Sequence, residues 1–439
     1  MSITSKPGLT AQEITETNRK HVFFSWSVQK NTVPIAVESG QGVYFWDVDG
    51  RRYLDFSSQL MSLNIGYQHP KVVAAIQEQA AKLCSAHPGW ATEPKGELGR
   101  LIADVAPGNL NKVFYTLGGA EANENAIKFA RAFTGKQKIL SRYRSYHGAT
   151  YGAITLSGDY RRPPVEPGIP GVVHVFDPYC YRCPFGHTLE TCHRECITHI
   201  EDVINYEGPQ TVAALIMEGV TGSNGILVPP DDYWPRLREI TKKYGVLLIS
   251  DEVMSGFGRT GEWFAVDNWQ VVPDIMTIAK GVTSGYLPLG GVVVSDEIAD
   301  FFEDKYLFMG LTYCGHPMST AAGVATLQVY KEEGLIENSK ILGNLLSGEL
   351  KGIQQRHPAV GDVRSIGLFS CLEMVKDRSS KEPMDDATMN QIRLKLLSEG
   401  LSTFVNHHLI FACPPLVIDQ EELLYGLGII ESTITAITG

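Results

Sequence analysis

Two charged side chains stand at the ends of two apolar runs. Residues 246–250 read VLLIS and end at Asp251; residues 275–279 read IMTIA and end at Lys280. Short apolar runs bounded by turn residues have the pattern of buried parallel strands. Open α/β sheets hold their ligands at the carboxyl ends of such strands. A carboxylate and a lysine meeting there allow two readings. One is a plain ion pair. The other is a lysine that forms an imine with a carbonyl cofactor, beside a carboxylate that keeps the cofactor's pyridine nitrogen protonated.

A further feature has the makings of an anion site. Gly118, Gly119 and Ala120 follow a short strand expected at 113–115 and precede a helix expected at 121–133, on which Ala126, Ala130 and Phe133 share a face. The unpaired N–H groups and the positive dipole end of a helix start hold phosphate. Glycine lets the backbone come close to it. An ordinary tight turn before a helix leaves the same glycine pair.

The neighbours of these residues narrow the choice. The segments DEVMSGFGRTGEWFA, PDIMTIAKG and PLGGVVVS resemble the lysine region of class III aminotransferases, which are pyridoxal phosphate (PLP) enzymes of fold type I. The resemblance covers nearly the whole chain. It implies PLP as cofactor, with Lys280 as the catalytic lysine that also moves a proton between donor carbon and cofactor, and with catalytic Asp251 on the pyridine nitrogen. It implies that Gly118, Gly119 and Ala120 hold the phosphate. Many relatives have serine where Ala120 stands, so backbone donors carry more of the load here. Tyr146 matches the aromatic cover of the ring, a flat group that keeps water away. His147, Glu218 and Val253 join the cofactor set, although His147 also suits a satisfied core histidine and Glu218 a strand-end carboxylate bonded to backbone. Thr312 matches a loop that crosses a dimer interface to the partner's phosphate, against the commoner role of threonine as a helix cap. Trp26, Leu60 and Phe404 fall where substrate contacts are expected; Trp26 equally suits a core position.

The same resemblance bears on substrate. The segments PYCYRCPFG and HHLIFACPPLVI are similar to those of ω-amine aminotransferases, including enzymes for taurine or β-alanine with pyruvate or 2-oxoglutarate. It implies a ping-pong cycle and a homodimer or tetramer with active sites at the interface. Many members carry an arginine shortly before a Pro-Pro-Leu motif, as a switch for the acceptor's carboxylate. Here that motif is Pro414-Pro415-Leu416, Phe404 occupies the arginine's place, and no arginine lies between Arg393 and the motif. His407 and His408 are weaker anion partners, which leaves Arg142, Arg144, Arg161 or Arg162 for that task. The same framework serves aminomutases, epimerases and decarboxylases, and also non-catalytic relatives.

Positioning these groups takes an α/β fold. The expected architecture is a large domain, 61–325, with a mostly parallel seven-stranded sheet between helices. A smaller α+β domain, 326–439, is joined by the N-terminal segment 1–60, whose residues 34–56 read as an antiparallel meander. Residues 163–194 are proline-rich and irregular, and read as a surface excursion that interrupts the βα rhythm. They carry Cys180, Cys183, Cys192 and Cys196. Four clustered thiolates suit zinc or an iron–sulfur cluster, but reduced thiols in a loop fit as well, and no metal is expected.

Bulk properties agree with a two-domain globular enzyme: 439 residues, 44% hydrophobic and 20% charged. A net charge of -11 gives no support for nucleic-acid or acidic-membrane partners. No run is long enough to span a bilayer and no signal-like apolar region opens the chain, so the cytoplasm is the expected location. A G-x-G-x-x-G turn in the first βα unit, which a nucleotide-binding dehydrogenase needs, is missing.

Overall fold

The computed structural model describes residues 8–439; residues 1–7 of the expected 1–60 segment lie outside them. The chain starts with the helix Ala11–His21, which Thr10 and Glu13 close with a reciprocal capping box. Strands β1 (Val37–Gln41), β2 (Tyr44–Asp47) and β3 (Arg52–Asp55) form the meander. The late strand Leu401–Ser402 adds to β3 in parallel, so the first strands of the chain sit in one sheet with its last quarter.

The central sheet has seven strands: β4 (Leu110–Thr116), β5 (Lys138–Arg142), β6 (Val172–Val175), β7 (Val212–Glu218), β8 (Leu247–Asp251), β9 (Ile275–Ile278) and β10 (Gly290–Ser295). Their order is β4-β10-β9-β8-β7-β5-β6. The pairs β9/β8, β8/β7, β7/β5 and β5/β6 are parallel, while β10 runs antiparallel to both its neighbours. Strand β7 is buried along its whole length, as expected of an unbroken apolar run with helices on both faces.

Residues 163–194 correct the sequence reading. The segment is not wholly an excursion, because Val172–Val175 enters the large sheet as its edge strand and pairs with β5 from Ile139↔Val172 to Arg142↔Val175. Four residues flanked by prolines give too short a local signal, and the pairing with β5 decides the conformation.

The helix Pro317–Glu332 leads out of the large sheet to the long helix Leu335–Arg356. Strands β11 (Val360–Ile366) and β12 (Phe369–Asp377) then form a second sheet with Leu409–Ala412 and Val405–Asn406. Arg259 ties the parts together. It is fully buried and donates to the carbonyls of Leu368 (3.1 Å) and Pro414 (2.5 Å), to Ser58 Oγ (3.0 Å) and to Asn64 Oδ1 (2.9 Å). One cation thus joins the loop after β3, the loop after β8 and the C-terminal segment, with neutral oxygens as its partners.

Candidate active site

The sheet register brings the site together. In the parallel ladder Glu218 pairs with Asp251, and Asp251 with Thr277, so the ends of β7, β8 and β9 deliver their residues side by side. Lys280 follows β9 by two residues. A cavity of about 440 Å³ opens at these strand ends, within the usual range of about 300–1,000 Å³ for small-molecule sites.

Asp251 is buried and held on both oxygens. Its Oδ2 accepts from the His147 ring at Nδ1 (2.7 Å) and from Asn123 Nδ2 (2.8 Å). Its Oδ1 accepts from the Val253 amide at 3.0 Å. The carboxylate fixes the proton of His147 on Nδ1, and the buried Nε2 has no partner among the described residues. Asn123 is itself fixed, because its Oδ1 accepts from Thr277 Oγ1 at 2.8 Å and its Nδ2 also reaches the His147 carbonyl at 2.7 Å. Behind Asp251, buried Glu252 accepts the amides of Ala265 (2.9 Å) and Val266 (3.1 Å) and locks the loop that follows.

Lys280 sits at φ +43, a left-handed conformation that costs a non-glycine residue on the order of 1 kcal/mol. Burial pushes its amine down to about 8, against the opposing pull of Asp251 and Glu218. Such an amine is partly neutral near neutral pH, the form that attacks a carbonyl or takes a proton. Glu218 is buried, and its carboxyl accepts the amides of Tyr146 (3.1 Å) and Gly222 (2.7 Å). Burial raises its pKa.

The helix after β4 spans Gly119–Thr134, two residues earlier than its apolar face suggests. Gly119 and Ala120 therefore belong to its first turn, and their amides have no acceptor among the described residues. A side chain at Gly119 would place its first carbon 2.7 Å from Val253 Cγ1, so glycine is what lets this turn lie against the β8 loop. Gly148, at φ +130, closes the other side, 2.5 Å from the Ala120 methyl by the same measure.

The cavity gathers nine of the residues singled out in the sequence: Gly118, Gly119, Ala120, Tyr146, His147, Glu218, Asp251, Val253 and Lys280 all line it. Four others lie off it. Trp26 is exposed and meets the Tyr146 ring edge-on at 6.5 Å. Leu60 is exposed, in a kinked turn where Ser58, Gln59 and Met61 all have positive φ. Phe404 packs on Phe411 at 4.9 Å. Thr312 lies on an exposed stretch. Asn123 and Thr277 were missed. Asn123 lies four residues after Gly119 on one helix face, the spacing that puts it beside the glycine turn, and Thr277 is opposite Asp251 in the register.

These residues fit PLP. Unpartnered helix amides are ready for a phosphate, a fixed carboxylate is ready for a protonated ring nitrogen, a lowered lysine is ready for an aldehyde, and Tyr146 offers an aromatic face. Among the described residues no group of three or more His, Cys, Asp or Glu is gathered as metal ligands, and no helix is long and apolar enough to cross a membrane.

The profile of Aminotransferase class-III matches residues 25–434. The taurine:2-oxoglutarate aminotransferase from Bifidobacterium kashiwanohense, solved with PLP and glutamate, superposes with a TM-score of 0.95 at 43% identity over 99% of each chain. The putrescine–pyruvate aminotransferase of Pseudomonas aeruginosa is 36% identical over 88% of this chain and 87% of its own. A leucine/methionine racemase of Thermococcus litoralis is 35% identical over 91% of this chain and 90% of its own. The chain belongs to the class III aminotransferases. It is a PLP-dependent aminotransferase of fold type I, and its cofactor is pyridoxal phosphate.

Proposed function

We propose that this enzyme moves the amino group of an ω-amino compound, of the taurine or β-alanine type, to a 2-oxo acid such as pyruvate or 2-oxoglutarate by a ping-pong cycle in the cytoplasm. The observation that carries the site assignment is the convergence of Asp251, Lys280 and the Gly119–Ala120 amides on one cavity. The substrate class draws support from the likeness to the taurine:2-oxoglutarate enzyme over 99% of both chains.

Bound PLP supplies an electrophilic aldehyde and a ring that accepts electrons. Lys280 would bond the cofactor, and its amine is the base and acid that moves one proton. Asp251, clamped by His147, Asn123 and the Val253 amide, would supply the negative charge that keeps the ring nitrogen protonated. The amides of Gly119 and Ala120 hold the phosphate. Tyr146 covers the ring and excludes water.

The working form is a homodimer, in which Thr312 of one copy completes the phosphate site of the other. The exposed aromatic side chains of Tyr306 and Phe308, a few residues before Thr312, support a buried interface there. The eight unpaired cysteines support a reducing compartment.

A donor panel of taurine, β-alanine, diamines and aromatic amines against pyruvate and 2-oxoglutarate tests the reading. The expected result is high turnover with an ω-amino acid and parallel-line kinetics. The racemase relative favours a second reading, racemisation. Loss of optical activity of a single-enantiomer amino acid without any oxo acid, together with no transfer across the panel, would establish that reading instead.

A further inference from the structure

The site has an amine-handling end, but the acid end of the substrates still needs a cation. We infer that Arg161 receives the carboxylate or sulfonate of the substrates beside Tyr146; this rests on the amino-transfer reading above.

Three other arginines are held by protein acceptors, and a fourth, Arg144, is turned onto an aromatic ring. Arg142 is buried between Asp177 (3.8 Å) and the Glu218 carbonyl (3.1 Å). Arg259 is fully buried on the four oxygens named above. Arg162 pairs with Glu166 at 2.6 Å, and Arg144 stacks on Tyr179 at 4.8 Å. The strands and loops from Leu401 to Pro414 carry neither Arg nor Lys.

Arg161 is differently placed. Its guanidinium carbon lies 3.7 Å from the centre of the Tyr146 ring, which lines the cavity. Its charge also reaches the Lys280 amine, where it works with burial to lower the pKa. One edge of the fork is occupied: Nε meets Asp159 at 3.1 Å, and Nη2 meets Asp159 and Ser223 Oγ, the latter at 2.8 Å. Nη1 has no acceptor among the described residues. A planar fork pinned along one edge presents its remaining donors in a fixed direction, which suits a carboxylate or sulfonate. Ser223 in turn holds the C-terminal hairpin, because its carbonyl accepts from Asn406 Nδ2 at 2.9 Å. Arg161 therefore stands between the ring cover and that hairpin. Asp159 aims the guanidinium but opposes an arriving anion, and Asn224 Nδ2 (3.1 Å) draws off part of its charge.

The test uses cofactor-loaded protein as wild type, Arg161→Gln, Arg161→Lys and Asp159→Asn. Unreactive propionate and ethanesulfonate are titrated in while the cofactor's absorbance is followed. Single-turnover half-reactions are then run with β-alanine, taurine and uncharged 1-phenylethylamine. Arg161→Gln should weaken anion binding about tenfold or more, the size of one charge-assisted bond pair, and Arg161→Lys should recover part of it. Asp159→Asn should tighten it. In the half-reactions Arg161→Gln should cost the anionic donors at least about tenfold more than 1-phenylethylamine, through KM and not kcat. Equal losses on charged and uncharged donors with unchanged anion affinity would overturn the inference and leave Arg161 as a support for Tyr146. Wild-type protein that binds both anions through Arg161 yet converts no donor would uphold it while removing the amino-transfer reading.

Discussion

His147 Nδ1 and Asp251 Oδ2 are 2.7 Å apart in a fully buried setting, and Asn123 donates to the same oxygen at 2.8 Å. The anion at the end of β8 is thus oriented from the sheet's helix side by two donors. Removing one donor to a buried carboxylate costs about 1.5–3 kcal/mol. Asn123→Ala should therefore weaken cofactor retention about 10–100-fold while leaving the chain folded, as dialysis and fluorescence titration would measure. Unchanged retention would mean that His147 and the Val253 amide suffice.

The Lys280 amine sets a pH profile. Its pKa is lowered to about 8, so its neutral fraction grows as pH rises through 8, whereas an ordinary lysine would need a pH above about 10. The rate at which cofactor-free protein captures PLP should rise between pH 7 and 9 with a midpoint near 8, followed by stopped-flow absorbance. A capture rate that still climbs steeply above pH 10 would place the amine in a solvated setting.

Gly148 and Ala120 close the phosphate end on each other. A side chain at Gly148 would fall 2.5 Å from the Ala120 methyl and would have to adopt φ +130. Gly148→Ala should destabilise the protein by about 1–3 kcal/mol and loosen PLP. Ala120→Ser adds one hydroxyl to the turn and should slow PLP loss about 2–10-fold, the value of one hydrogen bond. Thermal melts and cofactor release rates report both.

Glu373 anchors the cysteine-bearing segment to β12. It is buried, accepts from Arg182 Nε (2.5 Å), Arg364 Nη1 (2.8 Å) and the Tyr179 hydroxyl, and lies 3.4 Å from His408. Burial alone would raise its pKa; His408, Arg364, Tyr179 and Arg182 together outweigh burial and hold the carboxyl well below the ordinary carboxylate range. A lowered carboxyl contributes stability above its unfolded pKa, and that stability is lost as pH falls through the folded value. Glu373→Gln leaves Arg182 without its anion and Arg364 with Asp362 alone, and should cost about 3–5 kcal/mol at pH 7, and the gap to wild type should narrow below about pH 4. Urea melts at both pH values check it.

Much of this was legible in the sequence because the signals were local. The runs ending at Asp251 and Lys280, the Gly118–Ala120 junction and the long helices carry their own periodicity, and the fold type followed from the resemblance at those same residues. What stayed hidden depends on partners far along the chain. Strand β6 exists because β5 pairs with it, and its four residues have no pattern of their own. Asn123 looks like any polar residue of a first helical turn until Asp251, 128 positions later, is laid beside it. The open edge of Arg161 is visible only once Asp159, Ser223 and Tyr146 surround it. Phe404 is placed in the sequence by its distance from Pro414; in the fold it packs on Phe411 and is not among the residues lining the cavity.

Lys280 is the expected point of attachment for PLP. Purified protein is reduced with borohydride, digested, and mapped by mass spectrometry. The expected result is a single pyridoxyl adduct on Lys280, absent from Lys280→Ala, which should also lose amino transfer. An adduct on another lysine, or none in protein that still transfers amino groups, would contradict the central claim.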